Sequence, residues 1–431
     1  MKRLAAAMVA ALATATAAIA QESVQGEQIP PPAATTQDYP ADGEPAQQAA
    51  PDAIAPPAQP AQTIPPPSRP RPEINTDEGG LWGMSDRAEQ EARNSGQLER
   101  DPALNAYVRE VACRVASDAC GDIRLYVMNR PYFNASMAPN GYMEVWSGLL
   151  LRVEDEAQLA FVLGHEIGHY RERHALAMLR AVRGRAGAAM VFSIIAAGAG
   201  VGIVGDIVYL GTIASVFGFS RENESQADML GYDHAVAARY DPHAGHMLWS
   251  SLLQETQASD NPDVRRQETR ASIFRTHPLS ADRIEALTAR AAQATGGETQ
   301  RARYRAAIRP FLDSWLRSDL RRRDYGQTWF LLDRLAAAGE DLGVVEYYRG
   351  EINRLRRGDG DRERAFQHYT NAIAYPDAPA ATWRELGDLA LRDGRNAEAV
   401  EQFTAYLARA PQAVDRALIE ARIQQLSGGG Q

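Results

Sequence analysis

The chain has 431 residues, with 46 Lys and Arg against 55 Asp and Glu, for a formal net charge of −9. That mildly acidic balance, with no basic stripe carrying interleaved aromatics, excludes nucleic acid as a partner class. The dense basic cluster at 317–323 is short and fits a solvated helix face.

Residues 1–20 are predicted to be a signal peptide. Lys2 and Arg3 precede an apolar run of Ala, Leu and Val, which ends at Ala18-Ile19-Ala20 before Gln21. A short membrane anchor is the competing reading. The small residues at the end of the run favour cleavage, and there is no cysteine at that point to make a lipoprotein. Residues 21–78 are rich in Pro, Ala and Gln with few large apolar side chains, so they are predicted to be an extended, disordered linker.

The folded part begins near Leu81-Trp82-Gly83. Leu104, Tyr107, Val108 and Val111 recur at helical spacing and predict a helix over 101–115. Cys113 and Cys120 form an even pair, which in an exported chain favours a disulfide closing a small loop. A helix running through both would hold the sulfurs too far apart, so the helix is expected to stop near Ser117. Ile123, Leu125 and Val127 alternate with Arg124, Tyr126 and Met128, as in a strand. Asn140-Gly141 predicts a type I′ hairpin between the next two strands.

Next comes Gly164-His165-Glu166-Ile167-Gly168-His169. Side chains four apart on a helix share a face, so His165 and His169 aim their imidazoles at one point. That is the geometry of two ligands to one zinc ion, with Glu166 beside them to take a proton from water. The competing reading is two surface histidines on an ordinary amphipathic helix. Against it, Glu154 and Asp155 supply first-turn acids, and Leu159, Phe161, Val162, Leu163 and Ile167 make a mostly buried helix. Gly164 and Gly168 each cost about 1 kcal/mol relative to alanine inside a helix, which predicts close approach by another backbone. His174 comes nine residues after His165, half a turn out of phase, and is expected to face away.

Residues 186–220 are apolar and interrupted by Asp206. They could line a cleft, dip into a membrane surface or span a bilayer; the cleft-side element with membrane-surface contact is favoured because the Gly-rich middle should break a spanning helix. A catalytic zinc needs a third protein ligand. In Ser220-Arg221-Glu222-Asn223-Glu224-Ser225-Gln226-Ala227-Asp228, Glu224 and Asp228 share one helical face with Arg221 a turn earlier. Glu224 could complete a His₂Glu site while Asp228 fixes the tautomer of a ligating histidine. Judged alone, an acidic, solvated face with Arg221 as salt-bridge partner is the better reading. Asp241-Pro242 is a helix-start signal, and His243 and His246 beside it fit capping or surface roles better than ligation.

H-E-I-G-H followed by S-R-x-x-E-x-x-A-D resembles the zinc metallopeptidases that include the HtpX-like, BepA-like and CAAX prenyl protease enzymes. Asn134 to Gly141 leading into Val145-Trp146-Ser147-Gly148 looks like the strand pair before their zinc helix, and Thr276-His277-Pro278 resembles their downstream segment. The resemblance covers about residues 85–295. It implies an endopeptidase with metal ligands His165, His169 and Glu224, general base Glu166, and His277 near the zinc, where an imidazolium could stabilise the oxyanion; by its ligand chemistry alone His277 could equally be an inhibitory fourth ligand. It also favours an edge strand that pairs with an extended substrate.

From about 301 the pattern changes to helix after helix. Trp383, Leu386, Gly387 and Ala390, then Gly394, Ala399, Phe403, Tyr406 and Pro411, match tetratricopeptide spacing. Gly360, Ala365, Tyr369 and Ala372 repeat the second half 34 residues earlier. The expected fold is therefore mainly α with a small β-sheet (α+β): a zincin-type domain at 79–298, then a tetratricopeptide-like α-solenoid at 299–431 that docks protein clients. With the signal, this points to a periplasmic zinc metalloendopeptidase acting on protein substrates. By the BepA-like resemblance, these include outer-membrane proteins and their assembly machinery. A chaperone or assembly scaffold with minor or latent peptidase activity is the alternative.

Overall fold

The computed structural model describes residues 69–186, 219–266, 277 and 279–428. The expected signal peptide, nearly all of the 21–78 linker, the interior of the 186–220 stretch, and Thr276 and Pro278 lie outside the described residues.

Helix α1 (Asp77–Asn94) starts at Thr76, whose hydroxyl accepts the Gly79 N–H at 3.0 Å. Helix α2 (Pro102–Ala116) starts at Asp101, whose carboxylate accepts the Leu104 N–H at 2.8 Å, with Pro102 in the first helical position. Ser117, at φ 53°, ends α2, and a 3₁₀ turn (Ser117–Asp122) closes the Cys113–Cys120 disulfide across a Cα separation of 4.6 Å.

Three strands follow, β1 (Arg124–Met128), β2 (Ala135–Met137) and β3 (Tyr142–Trp146), in the order β1-β3-β2. β1 runs parallel to β3, and β2 runs antiparallel to it with Ser136 opposite Glu144. The connection between β2 and β3 differs from the type I′ turn expected at Asn140-Gly141. The Ala138 carbonyl accepts the Gly141 N–H at 2.9 Å, so Pro139 and Asn140 are the central pair, and only Gly141 has positive φ, at 87°. Proline fixes φ near −65°, which suits the first central position of a type I turn and is incompatible with type I′.

Helix α3 (Ser147–Arg152) leads to α4 (Glu156–Arg171), capped by Asp155 through the Gln158 N–H at 2.9 Å. Arg173, at φ 56°, breaks the helix, and α5 (His174–Ala186) starts in a new direction. Then come α6 (Arg221–Ala237), α7 (Ala244–Gln257), the single turn α8 (Pro262–Arg265) and α9 (Ala281–Ala291). Helices α2, α6 and α7 and strand β2 pack around α4, which is why nearly every α4 residue is buried.

The C-terminal part is helical: α10 (Arg301–Ile308), α11 (Leu312–Leu320), α12 (Tyr325–Ala337), α13 (Leu342–Arg356), α14 (Asp361–Ala372), α15 (Ala381–Arg392), α16 (Asn396–Arg409) and α17 (Arg416–Gly428). α13 folds back on α14 and α15 on α16. Each pair has a glycine under an aromatic ring, because a Cβ on Gly350 would lie 2.4 Å from the Tyr369 ring and one on Gly387 would lie 2.6 Å from Phe403.

One apolar core runs without a break from Leu104 in α2 through Ile167 in α4 to Tyr304, Trp315, Leu331 and Leu389. A second, smaller cluster joins Phe403, Tyr406 and Ile419. Arg152 bridges the two halves from a fully buried position: its Nε lies 2.7 Å from Glu255 in α7 and its Nη2 lies 2.7 Å from Asp319 in α11. The chain is mostly helical with a small mixed sheet, the α+β class expected from the sequence. No helix among the described residues is long and apolar enough to cross a membrane.

Candidate metal centre

The centre lies where α4 and α6 cross almost in backbone contact. A Cβ on Gly231 of α6 would lie 2.9 Å from both the His165 amide nitrogen and the Phe161 carbonyl oxygen, and one on Gly164 would lie 3.1 Å from the Gly231 backbone. This is the close approach that Gly164 and Gly168 predicted. It sets the α6 face bearing Glu224 and Asp228 against the α4 face bearing His165 and His169.

His165, His169, Glu224 and His277 present donor atoms that all lie within 4.8 Å of one another. His165 Nε2 is 3.1 Å from His169 Nε2, 3.3 Å from His277 Nδ1 and 3.7 Å from Glu224 Oε2. Glu224 Oε1 is 3.4 Å from His169 Nε2 and 3.0 Å from His277 Nδ1. Ligands about 2.0–2.1 Å from a tetrahedral ion are separated by about 3.3–3.4 Å, so these spacings bracket one ion's coordination shell. Among the described residues neither Glu224 oxygen accepts a well-aligned hydrogen bond, although both are buried. The donor set, two or three imidazoles and a carboxylate, therefore fits a divalent transition metal.

The electrostatics agree. Burial pushes the His169 imidazole far down, which keeps it neutral, the form that ligates metal. Burial alone would raise Glu224, but the imidazoles of His277, His169 and His165 outweigh it and hold the carboxyl well below its ordinary range. Glu166 lies beside the cluster with its Oε1 buried and without a hydrogen-bond partner among the described residues, 3.8 Å from His277 Nε2. Burial raises its pKa, partly offset by His277 and His165.

Around these groups sits a supporting layer. Asp228 Oδ1 is 3.1 Å from His165 Nδ1 and also accepts the Trp249 Nε1–H at 3.2 Å. Arg283 of α9 grips both α6 carboxylates, with Nε 2.6 Å and Nη2 2.8 Å from Asp228, and Nη1 2.9 Å from Glu224. Arg221, the residue within this segment expected to pair with its carboxylates, is instead the exposed first residue of α6. The guanidinium comes from a different helix, one turn beyond the Ser280 cap, and nothing within 220–228 points to it. His174 also differs from expectation. A half-turn offset holds only along one continuous helix, whereas the break at Arg173 swings His174 inward until its Nδ1 is 2.9 Å from His169 Nδ1. Phe219 stacks near the same ring, 4.1 Å between centroids. His243 and His246 hydrogen-bond to each other at 3.1 Å and do not belong to the cluster.

Residues 98–291 match the model of peptidase family M48. The chain carries a family M48 peptidase domain. Over 224 residues it is 27% identical to the beta-barrel assembly-enhancing protease of Escherichia coli K12, a match covering 49% of this chain and 43% of that protein. It is 31% identical over 189 residues to the mitochondrial metalloendopeptidase OMA1 of Schizosaccharomyces pombe, covering 42% of this chain and 51% of that one. Against the human mitochondrial metalloendopeptidase OMA1 the identity is 28% over 212 residues, covering 46% and 39%. The matches thus span about half or less of the length of these curated relatives. The M48 domain contains all four clustered donors, Glu166, Asp228, His174 and Arg283, so the geometric site and the family match coincide.

Strand β2, at one edge of the sheet, pairs among the described residues only with β3 and packs against α4, and the Met137 backbone N–H approaches the Glu166 carboxylate. Met137, Pro139, Leu176 and Phe219 line a cleft together with His169, Arg69 and Glu78.

Proposed function

We propose that this protein is a zinc metalloendopeptidase that hydrolyses peptide bonds of protein clients. The single observation that carries the proposal is the convergence of His165, His169 and Glu224 on one ion-sized space with Glu166 alongside. In this reading those three residues hold one zinc ion, and Asp228 and Arg283 fix their orientation. The ion, when bound, supplies Lewis acidity: it polarises a carbonyl and acidifies water. Glu166 is the general base. Burial lifts its proton affinity, and its Oε1, without a hydrogen-bond partner among the described residues, takes a proton from water and passes it to the leaving amine. β2, at one edge of the sheet among the described residues, is the strand on which an extended substrate adds, leaving selection to the cleft beside His169.

A second reading rests on His277. Its Nδ1 stands with the three other donors, and four protein donors close a tetrahedral site, whereas a catalytic zinc keeps one position open. His277 is then a fourth ligand in a resting state, and the protein acts chiefly as a chaperone or assembly scaffold with latent peptidase activity. The alternative role for His277 is to stabilise the oxyanion of the tetrahedral intermediate. His277→Ala separates these: faster basal proteolysis supports the inhibitory ligand, and slower turnover supports the oxyanion role.

The helical pairs α13–α14 and α15–α16, with their 34-residue spacing of Gly, Ala and aromatic positions, support a tetratricopeptide-like docking region. The 1–20 signal supports export to the periplasm. The similarity to the beta-barrel assembly-enhancing protease of Escherichia coli supports clients among outer-membrane proteins and their assembly machinery. Contact of residues 186–220 with a membrane surface belongs to the same reading. Unfolded casein incubated with zinc-loaded wild type and with Glu166→Gln tests the proposal. Cleavage by wild type that falls at least about 100-fold in the variant supports it, and equal cleavage by both excludes Glu166 as the base.

A further inference from the structure

The two histidines of the ligand pair lean on chemically different supports. His165 Nδ1 faces the Asp228 carboxylate at 3.1 Å, a charged acceptor held by Arg283 and Trp249. His169 Nδ1 faces another imidazole, His174 Nδ1, at 2.9 Å. His174 Nε2 is 3.2 Å from Gln226 Oε1, and Gln226 Nε2 donates to Glu172 Oε2 at 2.8 Å. His174 is buried, while Gln226 and Glu172 are exposed.

This chain admits one consistent set of proton positions. His169 turns Nε2 toward the cluster, 3.1 Å from His165 Nε2, and a ligating nitrogen carries no proton. The proton of the neutral ring therefore sits on Nδ1 and is donated to His174. His174 must then present a lone pair at Nδ1 and carry its own proton on Nε2, where Gln226 Oε1 accepts it. The Gln226 amide finally donates to Glu172. Each group has one role, and reversing any of them would set donor against donor or acceptor against acceptor.

The backbone is arranged to make this contact. On an unbroken α4, His174 would project half a turn away from His165. The left-handed Arg173, φ 56°, ends that helix and starts α5 at His174, bringing the ring under His169. Gln226 lies two residues after Glu224 on α6, so the chain ties the end of α4, the start of α5 and the third donor's helix together.

We infer that His174 is a positioning residue of the metal centre, accepting the Nδ1–H of His169 and holding that ring as an Nε2 ligand through Gln226 and Glu172. The inference rests on the metallopeptidase reading, and its test reads metal affinity rather than turnover. Supporting groups of this kind are worth about 10–100-fold in metal affinity.

The experiment uses the full chain, with zinc affinity measured by competition against a chromophoric chelator and folding checked by melting of the metal-free protein. His174→Ala is expected to weaken zinc binding about 10–100-fold with little change in metal-free melting. His174→Asn, whose side-chain carbonyl can accept the same proton, is expected to recover to within about threefold of wild type. His243→Ala, an exposed histidine outside the cluster, serves as control and keeps full affinity. Equal affinity of His174→Ala and wild type overturns the inference. So does a joint loss in the Ala and Asn variants accompanied by a lower metal-free melting temperature, because the role is then only structural. Should His174→Ala not fold, Gln226→Leu replaces it. A several-fold loss there, with His174→Asn near wild type, supports the inference, and unchanged affinity overturns it. A wild type that binds no zinc points instead to failure of the metallopeptidase reading.

Discussion

Substituting Gly231 by alanine tests whether the helix crossing, rather than the donors alone, makes the site. The added Cβ would lie 2.9 Å from the His165 amide nitrogen and the Phe161 carbonyl oxygen, and 3.2 Å from His165 Cα. Ordinary contact needs about 3.4 Å or more, so α4 and α6 must part by about 0.5 Å. Alanine gains about 1 kcal/mol of helix propensity over glycine. Overpacking of this kind costs about 1–3 kcal/mol. The two effects nearly cancel in global stability, and the melting temperature should fall by only a few degrees. Metal affinity should respond far more, because a well-formed site tolerates about 0.2 Å in ligand distance. Zinc affinity is therefore expected to drop at least about tenfold, measured by chelator competition alongside thermal melting. Gly96→Ala is the control, since a Cβ there meets nothing within 4 Å. If Gly231→Ala binds zinc as tightly as Gly96→Ala, the close crossing is not what sets the geometry.

Arg283→Met leaves Asp228 and Glu224 buried without their guanidinium. Removing one partner of a buried pair costs about 3–5 kcal/mol, so denaturant unfolding should shift by that amount; a shift below about 1 kcal/mol would show that the contacts in α9 are dispensable. In α13, burial tends to raise the Glu346 carboxyl, but hydrogen bonds from His368 and Arg349 win and hold it down at about 2. Its ordinary value is about 4.3, so the folded state holds the proton more weakly than the unfolded chain. The stability it contributes is present above about 4.3 and lost as pH falls through about 2. Glu346→Gln should accordingly flatten the decline in unfolding free energy between pH 5 and pH 3, and an unaltered slope rejects the assignment. A fragment ending at residue 298 should be soluble only poorly and melt without cooperativity, because it loses Tyr304, Trp315 and Leu316 from the shared core and strands Arg152 without Asp319. Cooperative melting of that fragment near the full-length temperature would show the halves to be independent.

What the sequence made legible was local periodicity combined with chemistry. The i,i+4 spacings of His165 with His169 and of Glu224 with Asp228 each define a helical face, and the two helical glycines announced that something would lie against α4. The stopping point of α2 followed from the demands of a disulfide between Cys113 and Cys120. What stayed hidden depended on long-range placement or on unsignalled backbone breaks. Arg283 reaches Asp228 from 55 residues away, and no spacing rule connects α9 to α6. Arg173 adopts a left-handed conformation without being glycine or asparagine, so helix phase carried past it misplaced His174. Pro139 overrode the strong hairpin signal of Asn140-Gly141 by fixing its own φ. The shared core across residue 298 was equally invisible, since a change in helical pattern marks a change of repeat and says nothing about which side chains meet.

Metal content of the purified full chain bears most directly on the central claim, that His165, His169 and Glu224 converge on a single divalent ion. Elemental analysis after dialysis should find close to one zinc per wild-type chain and little in Glu224→Ala or His165→Ala. A metal-free wild type, or a Glu224→Ala variant that keeps its full complement, would contradict it.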